Sequence, residues 1–135
     1  MTAPSPPATP RLGFFKLNVP NMERALLFWQ NAFGFAVTLS FDEIDFTEHA
    51  LALPGQEQGG PSLMLVCRKD GADVTVGKGH GPVGLFCPDL EASLADAIAA
   101  GASLVGEVVV LPEGVKVAIL TSPDGHEIEL VQMPG

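Results

Sequence analysis

Residues 17–26 read Leu17-Asn18-Val19-Pro20-Asn21-Met22-Glu23-Arg24-Ala25-Leu26, and residues 85–94 read Leu85-Phe86-Cys87-Pro88-Asp89-Leu90-Glu91-Ala92-Ser93-Leu94. Leu, Pro, Glu and Leu recur in step. Asn21 is matched by Asp89, and the apolar Val19 and Met22 by Cys87 and Leu90. Each copy continues into an alanine-containing apolar segment that stops at a glycine, Gly34 or Gly101. One supersecondary unit used twice in a short chain predicts a pseudo-symmetric domain, with any pocket between its halves.

Working outward, Gly13 to Val19 is a strand candidate broken by Pro20-Asn21. Asn21 caps a helix whose first turn carries Glu23, where the helix dipole favours an acid. Met22, Leu26, Trp29 and Phe33 recur at helical spacing, so Trp29 and the Phe28, Phe33 and Phe35 rings are expected in the core. Strands are predicted over 35–39, 46–53 and 62–67. The second copy repeats the order, with a strand over 83–87, a helix from Leu90 to Ala100, and strands over 104–110, 115–121 and 127–132. Pro123-Asp124-Gly125 marks a tight turn. The expected fold is α+β: tandem βαβββ modules, about 11–68 and 82–133, joined by a glycine-rich bridge over 69–81. A four-stranded sheet with one helix leaves its other face bare, so the halves are expected to pair or to curve around a ligand as a cup with helices outside.

Size and composition narrow the function. At 135 residues the chain forms one domain over 11–135, burying roughly two-thirds of its unfolded surface. Residues 1–10, rich in Pro, Ala, Ser and Thr, read as a flexible tail without a secretory signal. No apolar run approaches the about 20 residues needed to cross a bilayer, so cytoplasmic residence is the expectation. Cys67 and Cys87 lie in apolar strands and are read as buried reduced thiols. A net charge of −9, from 16 acidic against 7 basic residues, argues against nucleic acid and membrane partners and suits a cationic small molecule.

The repeated segments, together with Phe28-Trp29, Phe33-Gly34-Phe35, Ala99-Ala100-Gly101-Ala102 and the closing Ser122-Pro123-Asp124-Gly125-His126-Glu127-Ile128-Glu129-Leu130, resemble the vicinal-oxygen-chelate superfamily. That superfamily includes glyoxalase I, bleomycin-resistance proteins and extradiol dioxygenases. The resemblance spans Arg11 to Met133 and implies the curved-sheet fold and a homodimer with its cavity at or near the subunit junction. Metal-dependent members hold a cation with residues from both halves. Matched motif to motif, those positions fall at Phe14, Met64, Pro82 and Glu129, of which only Glu129 is a usual ligand. A cation needs about three protein donors, so no metal or other cofactor is expected. The alternative is a displaced site using Glu129 and His80, with Glu48 a further candidate. His126 is expected as a turn-adjacent surface residue.

Strand alternation places Phe14, Lys16 and Asn18, Glu48, Met64, Phe86 and Glu129 on pocket-side faces. These seven are the predicted ligand-binding residues, in an apolar, aromatic cavity with few polar groups. Lys16 and Glu129 are expected to pair, since neither tolerates burial alone. Asp42, Glu43, Asp45 and Glu48 read first as a solvated loop and alternatively as an acidic lip that steers a cation. The segments 55–61 and 110–114 are the predicted mouth loops. Two functions remain open from sequence. One is a metal-free protein binding a small, largely apolar, cationic organic ligand. The other is a glyoxalase-like lyase or isomerase, or a ring-cleaving dioxygenase relative, using Glu129 as catalytic base or a non-standard metal site.

Overall fold

Asn21 and Asp89 do the same work in each half: each extended residue accepts a hydrogen bond from the backbone N–H three residues on, at Arg24 and Ala92. They open helices α1 (Met22–Phe33) and α2 (Leu90–Ala99). Gly34 ends α1 with φ 84°, which is why glycine stands there. Gly101 follows α2 with φ 119°, and a Cβ on it would meet Pro123 at 3.1 Å.

The computed structural model describes residues 9–135, so the tail expected over 1–10 falls, for residues 1–8, outside the described residues. Strands are β1 (Phe14–Asn18), β2 (Ala36–Asp42), β3 (Phe46–Ala52) and β4 (Ser62–Arg68) in the first half. In the second they are β5 (Val83–Phe86), β6 (Ser103–Val110), β7 (Lys116–Thr121) and β8 (Glu127–Gln132). Each half is a βαβββ module with a four-stranded mixed sheet, ordered β1-β4-β3-β2 and β5-β8-β7-β6. The first strand of each module runs parallel to the last, and the other pairings are antiparallel. Tandem βαβββ modules of α+β class are what the repeat predicts.

One face of each sheet packs inward with the helices. Leu17, Leu51, Leu63 and Leu65 of the first sheet and Leu120, Ile128 and Leu130 of the second are buried, together with Trp29 and Leu90. The aromatic residues form a chain of edge-on contacts. Phe28 and Trp29 lie 5.3 Å apart and Trp29 and Phe35 5.8 Å apart, both close to perpendicular. The helices pack on one another, and this contact joins the modules. The sheets therefore do not close face to face within one chain. The bare faces expected to pair remain open, because the helices occupy the space between the modules. The outer strand β2 is exposed along its whole length. Cys87 is buried and Cys67 half-buried, and both are free thiols. No helix among the described residues is long and apolar enough to cross a membrane.

Candidate functional site

The open face of the first sheet holds a cavity of about 510 Å³. Its wall comes from Phe14 on β1, Met64 on β4, Phe46 and Glu48 on β3, and Phe41 on β2. Antiparallel pairing sets Phe41 opposite Glu48 and Glu48 opposite Val66, so alternation aims these side chains to one side. The β2–β3 connection folds over the rim and adds Glu43, Ile44 and Asp45. Glu43 and Asp45 thus form a lip on an aromatic cavity, while Asp42 of the same run is exposed and pairs with Lys69 at 2.7 Å. This lip also replaces the predicted mouth loops. Gln56, Gly60 and Pro61 border a different groove, shared with Pro82, Gly84 and Leu85 at the junction of the modules.

Glu48 is buried, and its charge is met by Lys16. The Lys16 Nζ lies 3.0 Å from Oε1 and donates to Oε2 at 3.2 Å. The partners differ sharply in exposure, with 43% of the Lys16 side chain accessible against 6% for Glu48. The same ammonium lies 5.4 Å from the centre of the Phe14 ring. The pairing expected between Lys16 and Glu129 is not formed. Glu129 sits on β8 between Gly84 and Ile119, in the other sheet. Of the remaining predicted residues, Asn18 lines a depression with Arg68 and Asp70. Phe86 is 81% exposed beside the α1–α2 junction. Phe14, Glu48 and Met64 are brought together with Lys16; Asn18, Phe86 and Glu129 do not line this cavity. Phe41, Ile44 and Phe46 were not picked out in advance. Their signal was the apolar Phe41 and Phe46 flanking the acids on adjacent strands.

His126 is not a surface residue. It directly precedes β8, in step with the core-facing Ile128 and Leu130, and is buried. Its backbone N–H donates to Ser122 Oγ at 3.0 Å, and its Nδ1 has no hydrogen-bond partner. Burial pushes its pKa below the ordinary value near 6.5; the Asp124 carboxylate opposes this, His80 adds to it, and a hydrogen bond with the Asn18 backbone opposes it. The His80 ring is exposed and stacks at 6.5 Å from His126. Arg24 of α1 reaches Asp124 at 3.6 Å. These contacts tie the 122–126 turn of the second module to the first.

The positions that hold a cation in metal-dependent relatives do not fit one here. Phenylalanine and proline have no side-chain donor, and the Met64 thioether is a poor partner for hard ions. Among the described residues no three His, Cys, Asp or Glu side chains are grouped to hold a metal ion, so His80 and Glu129 acquire no third ligand.

Residues 11–130 match the family model described as Glyoxalase/Bleomycin resistance protein/Dioxygenase superfamily. No curated protein matches the chain. Among solved structures, glyoxalase I from Zea mays superposes with a TM-score of 0.81 at 20% identity, over 93% of this chain and 45% of that one. The chain thus spans about half the length of the maize enzyme. The trypanothione-dependent glyoxalase I of Leishmania major gives 0.78 at 21% identity, covering 92% of this chain and 87% of its own. A glyoxalase/bleomycin resistance protein/dioxygenase superfamily member from Sphaerobacter thermophilus gives 0.72 at 19%, covering 93% and 98%. Likeness at these identities concerns the fold alone.

Proposed function

Because the chain belongs to the glyoxalase/bleomycin resistance protein/dioxygenase superfamily, we propose that it binds a small, largely apolar, positively charged organic ligand in the cavity of its first module. The observation that carries this reading is the composition of that cavity. Phenyl rings and a methionine offer apolar and polarizable surface, and the charged residues that line it, Glu43, Asp45 and Glu48, are acidic, with Lys16 paired to Glu48 and Arg68 over the Phe46 ring. A cation is steered toward such a lip and an anion is repelled. Within one chain Glu129 lies on the other sheet and does not line this cavity, so lyase chemistry with Glu129 as base would need a second copy to bring it there.

A homodimer is part of the same proposal. The open faces expose Leu39 and Phe41 on β2, Val105 and Val109 on β6, and Phe86 on β5. Apolar surface of this extent on a sheet marks an association face, and a second copy covering it would bring the cavity to the subunit junction. Free thiols and an acidic surface suit the cytoplasm.

Calorimetric titration with an aromatic amine tests the site. Saturable binding is expected, and Met64→Trp, which fills the cavity, is expected to abolish it while the fold persists. Binding that survives the filled cavity would place the ligand elsewhere and overturn the proposal.

A further inference from the structure

We propose that Lys16 is a tethered stand-in for the ligand's own cation, and that an incoming ammonium or amidinium on an aromatic body displaces it from Glu48. This rests on the preceding reading and adds what decides ligand choice at that site. The Lys16 ammonium holds two contacts that a bound organic cation would seek: a carboxylate at 3.0 Å and the Phe14 ring at 5.4 Å.

The two partners are not equally free to move. Glu48 is fixed on β3, an inner strand paired on both sides, and is buried. Lys16 is on β1, at the edge of the sheet, with a flexible stem and an accessible side chain. Leaving a carboxylate this enclosed without a counter-charge is unfavourable. Exchanging one cation for another keeps it satisfied, and the released lysine gains full hydration at the open edge. The ligand's aromatic body then adds burial against Phe41, Phe46 and Met64, which the lysine stem does not supply. A neutral ligand of the same shape must leave Lys16 in place. An anionic one meets Glu43, Asp45 and Glu48 together.

The test uses three probes with one ring system, naphthylethylamine, naphthylethanol and naphthylacetate, titrated calorimetrically into the full chain. The amine is expected to bind about tenfold tighter than the alcohol, with the carboxylate weakest. In Glu48→Gln the amine and alcohol should agree within about threefold, and in Lys16→Met the amine should gain about fivefold while the alcohol is unchanged. A second readout does not depend on variants that fold. Acylation of Lys16 relative to the exposed Lys78 in the same sample, which cancels reagent consumed by the amine, should rise on the wild-type chain when the amine is bound and not when the alcohol is, as mapped by mass spectrometry. Equal binding of amine and alcohol would overturn the displacement and leave the cavity proposal standing. Weaker amine binding in Lys16→Met, or slower acylation of Lys16 relative to Lys78 with amine bound, would also overturn displacement alone. No saturable binding by any probe would remove both.

Discussion

In the first module the row Asn18–Val66–Glu48–Phe41 runs across the open face, and the matching row of the second is Phe86–Val131–Val117–Val109. The neighbouring rows are Lys16–Met64–Ala50–Leu39 and Gly84–Glu129–Ile119–Val105. The ion pair of the first module is therefore replaced by glycine and valine in the second. The helix caps, strand order and inward-facing leucines are kept on both sides. Residues that build the fold sit on the covered face and at the caps, so the open faces are free to differ. The first open face carries a Lys16–Glu48 ion pair, and the second carries valines with Glu129 as the charge in these rows.

The largest effect should fall on what both modules share. Trp29→Ala removes the ring packed against Phe28, Phe33 and Phe35 and is expected to cost about 3–5 kcal/mol in urea unfolding. Loss of one module's signal before the other's would break the picture of a common core. Next comes the second module's open face. Val109→Asp places an unpaired charge on that face and should weaken the proposed homodimer about a hundredfold by sedimentation, with the monomer still folded. An unchanged mass would remove that face from the interface.

The joint between the modules is expected to weaken as pH falls. His126 has a folded pKa below its unfolded value, so the unfolded chain binds the proton more readily. The stability that neutral His126 supports is whole above about pH 6.5 and declines as pH falls through that value toward the folded pKa. Urea midpoints from about pH 8 to about pH 5 should fall less steeply in His126→Gln. Equal slopes would contradict the assignment. The smallest effect compares two ion pairs. Lys16→Met, which leaves a buried partner, should cost about 1 kcal/mol. Lys116→Met, which leaves the exposed Glu91, should cost under about 0.5 kcal/mol.

Much of the fold was legible in the sequence because its signals are local. Asn21 and Asp89 as caps, Gly34 and Gly101 as stops and the Trp29 stripe each depend on near neighbours. Alternation also sorted Phe14, Glu48 and Met64 to the correct face. It could not say which sheet a face would meet. The sequence pattern pairs Lys16 with Glu129, whereas the parallel pairing of β1 with β4 beside β3 brings Glu48 within reach instead. Residues 43–45 resemble any solvated turn until the Phe41–Glu48 pairing folds them over the cavity. A position beside the Pro123-Asp124-Gly125 turn suggests a surface residue for His126, but alternation with Ile128 and Leu130 turns it to the core.

Methyl resonances of the methionines provide the most direct test of ligand binding in the first module. Met64 lies in the cavity, Met22 on α1 and Met133 beyond β8. On titration with naphthylethylamine the Met64 methyl should shift and saturate while Met22 and Met133 stay in place. Saturating shifts at Met22 or Met133 with Met64 unmoved would contradict the account.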